Sequence, residues 1–293
     1  MSISWSYFFG QFCFIPTPTL TNANLPSQGG RVFIVTDGYF SLNKELAKTL
    51  YQHNGTVYIA DRLESKTSAA IAEIKSAHPC SDRRVEFLPL NLTDLSTIKT
   101  SAENFLREEA RLDVLTNGGN ILRPPNRPSK TPQGHELQMG NNCLGSLPLH
   151  ALPHCITPED GGVEPQKQCA SDMDDYAQSK AANVLLSRQY QALHSADGIV
   201  SNAFNPSNCA SPERRTDLTW YSRLLTYMTS YQSVFGAYTM LYAGWSEEAG
   251  RKENWGKYVA PWGRIVRVRP YLGAQGEAGK LWGWCERETR EYV

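Results

Sequence analysis

Between residues 31 and 120, short β-branched runs alternate with stretches of helical periodicity, and this alternation constrains the fold more than any other feature. Arg31–Thr36 is an apolar run bounded by a turn and is expected to form a buried strand. The turn Asp37–Asn43 leads into a helix over Lys44–His53, marked by Leu46 and Leu50. Gly55–Asp61, a helix over Ser65–Ala77, Val85–Asn91, a helix over Asp94–Glu109 and Leu112–Thr116 continue the pattern, which ends in Asn117-Gly118-Gly119-Asn120. Strands that alternate with helices form a parallel sheet wound by right-handed crossovers, with helices on both faces. Ligands on such doubly wound sheets bind beyond the carboxyl ends of the strands, so the residues at the strand ends are the candidates for a site.

The remainder is less regular. A loop with Pro124, Pro125, Pro128 and Pro132 precedes an expected helix over His135–Leu147. Residues 148–175 show no clear period. A helix running to about His194 follows, then a strand over Gly198–Phe204 and the tripeptide Asn205-Pro206-Ser207. Leu218–Ser246 reads as largely helical, and the tail holds Tyr258–Trp262 and a last helix with Trp282 and Trp284. No internal repeat or interdomain linker interrupts the chain. It is expected to form one domain over residues 31–293, preceded by an arm over 1–30.

Composition narrows the function classes. Lys plus Arg and Asp plus Glu both number 29, so the formal charge is zero, which argues against nucleic acid or an anionic membrane surface as partner. The aromatic segment Trp5–Ile15 is too short to span a bilayer and lacks the basic start of a signal peptide, so it reads as a surface-packed arm. Seven cysteines (13, 80, 143, 155, 169, 209 and 285) without a Cys-x-x-Cys spacing read as reduced thiols in a cytoplasmic protein. His150, His154 and Cys155 lack a fourth ligand at a recognisable spacing, so no metal is expected.

The chemistry centres on Tyr176 and Lys180. Four residues apart, they share one face of a helix. A phenol titrating near pH ~10 exchanges protons poorly near neutrality, and a cation one turn away favours the phenolate and lowers that value. The pair can then serve as a general acid/base.

Together with Thr36, Asp113-Val-Leu-Thr-Asn117, Asn142-Cys-Leu-Gly145 and Asn205-Pro206 followed by Thr216-Asp-Leu, the Tyr176-x-x-x-Lys180 pair resembles the short-chain dehydrogenase/reductase family, in its fungal branch near the retinol dehydrogenases. The similarity runs from about residue 28 to the end, in order. It implies a single-domain Rossmann-type sheet and hydride transfer between NAD or NADP and a small apolar carbonyl or alcohol, as in fungal secondary metabolism. Tyr176 would be the acid/base. Lys180 would lower its pKa and hold the nicotinamide ribose, and Asn142 would anchor a water of the proton relay. Leu42, Asp61, Arg62, Asn91, Asn117 and Thr216 would join Tyr176 and Lys180 along the cofactor. A carboxylate at Asp61 suits the ribose of NAD and Arg62 suits the 2′-phosphate of NADP, with Asp61 tilting the balance toward NAD. The family also implies a small-molecule substrate and dimerisation through the long helices.

The chain departs from the family pattern in three places. The three glycines of the first turn read Asp37, Ser41 and Asn43, which are expected to cap the following helix. The family's Asn-Asn-Ala-Gly after the fourth strand reads Asn117-Gly118-Gly119-Asn120. A Val-rich fifth strand and the serine at its end are missing or degraded: His150, Ala151 and Leu152 occupy that place, with His150, Thr157 and Ser171 as stand-ins for the serine. Either residues 148–157 form a crude strand or the fourth and sixth strands approach one another. A cofactor-independent isomerase, dehydratase or cyclase, or a silent binding relative, is the alternative. Six tryptophans (220, 245, 255, 262, 282, 284) are expected either to pack the core or to line an apolar pocket.

Overall fold

The computed structural model describes residues 15–126, 128–151, 171–209, 230–268, 272 and 276–292. Its centre is a parallel four-stranded sheet in the order β3-β2-β1-β4, formed by β1 (Val32–Thr36), β2 (Thr56–Asp61), β3 (Val85–Pro89) and β4 (Val114–Thr116). Because successive side chains point to opposite faces of a strand, β1 divides the core in two. Val32 and Ile34 face one cluster, and Phe33 and Val35 the other. The Phe33/Val35 side is covered by α1 (Ser41–Gln52), Ile74 of α2 (Glu64–Ala77) and α6 (Ser233–Trp245). The Val32/Ile34 side is covered by α3 (Ile98–Glu108), α4 (Leu137–Asn142), α5 (Asp172–Leu193) and α7 (Glu277–Thr289). This is the doubly wound arrangement expected from the strand–helix alternation.

Several elements differ from expectation for local reasons. The helix expected over His135–Leu147 ends at Asn142 and continues as the 3-10 turns Leu144–Ser146 and Pro148–Ala151. Gly145, in the first of these turns, lies so close to Leu92 that a Cβ there would sit 2.2 Å from the Leu92 carbonyl oxygen. Residues 148–151 therefore contribute no strand.

β4 and the sixth expected strand do not pair either. Among the described residues the central sheet ends at β4. A second sheet, in the order β5-β6-β7, is built from β5 (Ala203–Phe204), β6 (Tyr258–Ala260) and the antiparallel β7 (Arg264–Val266). The strand expected over Gly198–Phe204 shrinks to two residues because helix α5 supplies the partner that a neighbouring strand would provide. The buried Gln191 donates through Nε2 to the Ile199 carbonyl at 2.9 Å and accepts from the Ser201 N–H at 2.7 Å. One side-chain amide thus satisfies a backbone donor and acceptor that cannot be left dry.

Residues preceding β1 are packed rather than loose. Leu20 and Leu25 join the Phe33/Val35 cluster, and Gln28 N–H donates to the His53 carbonyl at 2.7 Å. Residues 1–14 of the arm lie outside the described residues. Cys80, Cys143, Cys209 and Cys285 are free thiols. No helix of the described residues is long and apolar enough to cross a membrane.

Candidate active site

The carboxyl ends of β1, β2 and β4 open on one side of the sheet, where α1 begins. The turn after β1 keeps a backbone shape that glycine adopts easily, without the glycines. Asp37 and Ser41 both have φ 51°, in the left-handed region where non-glycine residues pay a conformational cost of about 1–2 kcal/mol. Gly38 is kept small by its neighbours, since a Cβ there would lie 2.9 Å from Ile59 Cγ2.

The capping expected of Asp37, Ser41 and Asn43 does not occur. Phe40 is the N-cap of α1, and no side chain caps the helix. All three polar groups are used elsewhere. Asp37 Oδ2 accepts from the Asn120 N–H at 3.1 Å, and Ser41 Oγ lies 3.2 Å from Ser233 Oγ. Asn43 Nδ2 is within 3.3 Å of the carbonyls of Thr36, Asp37 and Gly118. The start of α1 thus retains the uncapped N–H groups and positive dipole end that hold an anion.

The departures from the family pattern at residues 43 and 118 compensate one another. A Cβ on Gly118 would meet the Asn43 side chain at 2.4 Å. The bulk missing at 118 is present at 43, whose amide bridges β1 and the end of β4. Alongside it, Thr36 Oγ1 accepts from the N–H groups of Gly118 and Gly119 at 2.9 and 3.0 Å. A Cβ on Gly119 would lie 2.3 Å from Leu92 Cδ1. The crevice between β1 and β4 is therefore intact.

Helix α5 carries Tyr176 and Lys180. Ser171 is its N-cap, with Oγ accepting from the Asp174 N–H at 3.2 Å, and Asp172, Asp174 and Asp175 suit its positive end. As a cap, Ser171 stabilises the helix start, and its hydroxyl also donates to Asp174 Oδ2 at 2.7 Å. Of the other stand-ins for the missing serine, the His150 side chain and Thr157 lie outside the described residues, as do His154 and Cys155.

Lys180 Nζ stands 5.6 Å from the centre of the Tyr176 ring, as their spacing requires. Burial lowers the Lys180 pKa, opposed by the nearby Cys143 thiol and Asp37 carboxyl. Part of the Lys180 surface still opens to solvent, although protein atoms surround it on most sides. Burial in turn pushes the Cys143 thiol up to about 12, so it stays protonated, and its Sγ donates to the Ser179 carbonyl at 3.0 Å.

Asn142 fixes α5 to the end of β4. Its Oδ1 accepts from Ile121 N–H at 2.8 Å and Asn141 Nδ2 at 3.0 Å. Its Nδ2 donates to Ile121 O at 3.2 Å and Ser179 Oγ at 2.9 Å. Both polar atoms of the Asn142 side chain are thus engaged by protein groups.

The expected cofactor residues occupy different settings. Asp61 ends β2, is buried, and accepts from the Leu63 N–H at 2.7 Å, while Arg62 is exposed. Asn91 Oδ1 accepts from Thr93 N–H and Oγ1 at 3.2 and 2.7 Å. Asn117 is half-buried past the end of β4. Leu42 lies in the first turn of α1, where a Cβ on Gly236 of α6 would come within 3.2 Å of it. Thr216 lies outside the described residues.

Relatives match over nearly the whole chain. A short-chain dehydrogenase/reductase of Phomopsis amygdali is 36% identical over 99% of this chain and 97% of its own length. The chain belongs to the short-chain dehydrogenase/reductase family. The short chain dehydrogenase profile matches residues 31–147. An Emericella nidulans short-chain dehydrogenase/reductase is 34% identical over 94% of this chain and 98% of its own, and human retinol dehydrogenase 12 is 29% identical over 89% and 86%. The Phomopsis alignment spans 334 positions, more than the 293 residues of this chain, so the chain carries deletions relative to it. The fold is shared with an uncharacterised Mycobacterium paratuberculosis protein (TM-score 0.67, 24% identity, 94% of this chain and 98% of that one). An Escherichia coli hydroxysteroid dehydrogenase gives a TM-score of 0.62 at 17% identity, over 81% and 98%.

Sequence reasoning missed the Asn43–Gly118 exchange and the contact between Asp37 and Asp61. The signal for the first was a glycine lost in the first turn of α1 and another gained after β4.

Proposed function

We propose that this oxidoreductase uses NAD or NADP to interconvert a small apolar carbonyl compound and its alcohol, in fungal secondary metabolism. The observation that carries this reading is the Tyr176–Lys180 pair, linked to the carboxyl end of β4 through Ser179, Asn142 and Ile121, beside a helix start that no side chain caps. The uncapped first turn of α1 fits a pyrophosphate, and the buried Asp61 at the end of β2 fits a ribose hydroxyl. When bound, the dinucleotide supplies or accepts the hydride. Tyr176 gives the proton to the substrate oxygen during reduction and recovers it during oxidation, and Lys180 stabilises the phenolate between these events.

Trp262 is buried in an aromatic cluster. It stacks on Phe235 at 4.5 Å and meets Tyr231 edge-on at 4.7 Å, beside the α6 start that touches Ser41. Trp245, packed on Phe33, and Trp282, beside Tyr190, belong to the core.

The test is Tyr176→Phe. Turnover should fall by about 10²–10⁴-fold with dinucleotide affinity unchanged. Full activity in the variant refutes the assignment.

A further inference from the structure

The first family glycine is here an aspartate, and its carboxyl meets a second one. Thr36 and Ala60 form the last rung between β1 and β2, and the Asp37 N–H donates to the Ala60 carbonyl at 2.9 Å. Asp37 and Asp61 therefore leave the two strands side by side. Each is anchored through one oxygen, Asp37 by the Asn120 N–H and Asp61 by the Leu63 N–H. The two side chains are near enough for the Asp61 carboxyl to act on Asp37. Two carboxyl groups placed side by side favour holding one proton between them. Burial first, and then the charge of Asp61, push Asp37 up to about 7. Asp37 opens partly to the cleft, whereas Asp61 is 3% exposed.

Among the described residues, the charged groups facing Asp37 are few. From β2 come Asp61 and Arg62, and from α5 comes Lys180; both cations favour the carboxylate. Lys66 of α2 stands over the Tyr39 ring in the same turn, 5.7 Å from its centre. The first turn of α1 carries no acidic residue.

We propose that Asp37 gates dinucleotide binding by proton uptake: the cofactor's pyrophosphate is accepted at the start of α1 with the Asp37–Asp61 pair protonated. This rests on the dinucleotide reading above. The pyrophosphate brings two negative charges beside Asp37 and favours its neutral form. Where the free pair has lost its proton, binding draws one from solvent. That proton resides on the carboxyl pair, and no covalent bond to the cofactor forms.

The experiment is calorimetric titration of the full chain with NADH and NADPH in two buffers of different ionisation enthalpy. At about pH 8 uptake should approach one proton per site, and at about pH 6 it should be small; affinity should fall by up to about tenfold per pH unit above neutrality. Asp37→Asn tolerates the left-handed backbone and should bind more tightly than the native chain at about pH 8, without proton uptake. Binding by the native chain with no buffer-dependent heat and no pH dependence overturns the gate while leaving the cofactor reading intact. So does uptake that persists in Asp37→Asn, and neither result depends on cofactor turnover. If the native chain, Asp37→Asn and Asp37→Gly all fail to bind either dinucleotide at millimolar concentration while keeping native circular dichroism, the cofactor reading fails and takes the gate with it.

Discussion

The exchange of bulk between residues 43 and 118 makes a quantitative prediction. In Gly118→Ala the new Cβ would sit 2.4 Å from Asn43 Nδ2 and 2.6 Å from its Cγ and Oδ1. Asn43 is 5% exposed and held by three carbonyls, so it cannot swing into solvent. Relief requires displacing the amide, an overpacking cost of about 1–3 kcal/mol, plus hydrogen bonds worth about 1 kcal/mol each. Gly118→Ala should therefore cost about 3 kcal/mol. Asn43→Ala removes the obstructing atoms at a cost of about 1–2 kcal/mol. In that background Gly118→Ala should cost less than about 1 kcal/mol, a coupling of about 2 kcal/mol. Urea unfolding of the four proteins, followed by circular dichroism, measures it. If Gly118→Ala costs the same in both backgrounds, the two residues do not exchange bulk and the crevice is held by something else.

Two further predictions concern the second sheet and the carboxyl pair. Gln191→Leu strands the Ile199 carbonyl and the Ser201 N–H and should destabilise the fold by about 2–4 kcal/mol, with faster amide exchange over residues 199–204; unchanged exchange there contradicts Gln191's role as strand substitute. For Asp37 the folded pKa of about 7 exceeds the unfolded value of 3.8, so its contribution to stability is greatest at low pH and is lost as pH rises toward 7. The stability of Asp37→Asn relative to the native chain should rise across that window in thermal melts and level off above it, and a pH-independent difference would count against the raised pKa.

Much of this architecture is legible in the sequence because it is local. Val32–Thr36 and Thr56–Asp61 are short apolar runs between turn residues, and Tyr176 and Lys180 are joined by helical spacing alone. What escapes a linear reading depends on residues far apart in the chain. The loss of glycine at 43 looks like damage until Gly118 is seen opposite it. Asp37 and Ser41 look like caps because their residue type favours caps, yet Asn120 and Ser233 claim their side chains. The short β5 could not be foreseen, since β-branched content at 199–200 says nothing about a glutamine on α5 that takes the place of a strand. The engagement of Asn142 with Ile121, Asn141 and Ser179 likewise becomes visible only in three dimensions.

A dinucleotide bound as proposed would lie across the carboxyl ends of β1 and β4, against the start of α1. Amide hydrogen exchange of the native chain, with and without NADH or NADPH at about pH 6 where the carboxyl pair is protonated, tests this placement most directly. Nucleotide addition should slow exchange at residues 37–44 and 117–121, with the β7 hairpin unchanged. Unaltered exchange at both segments with millimolar NADH and with millimolar NADPH would contradict it.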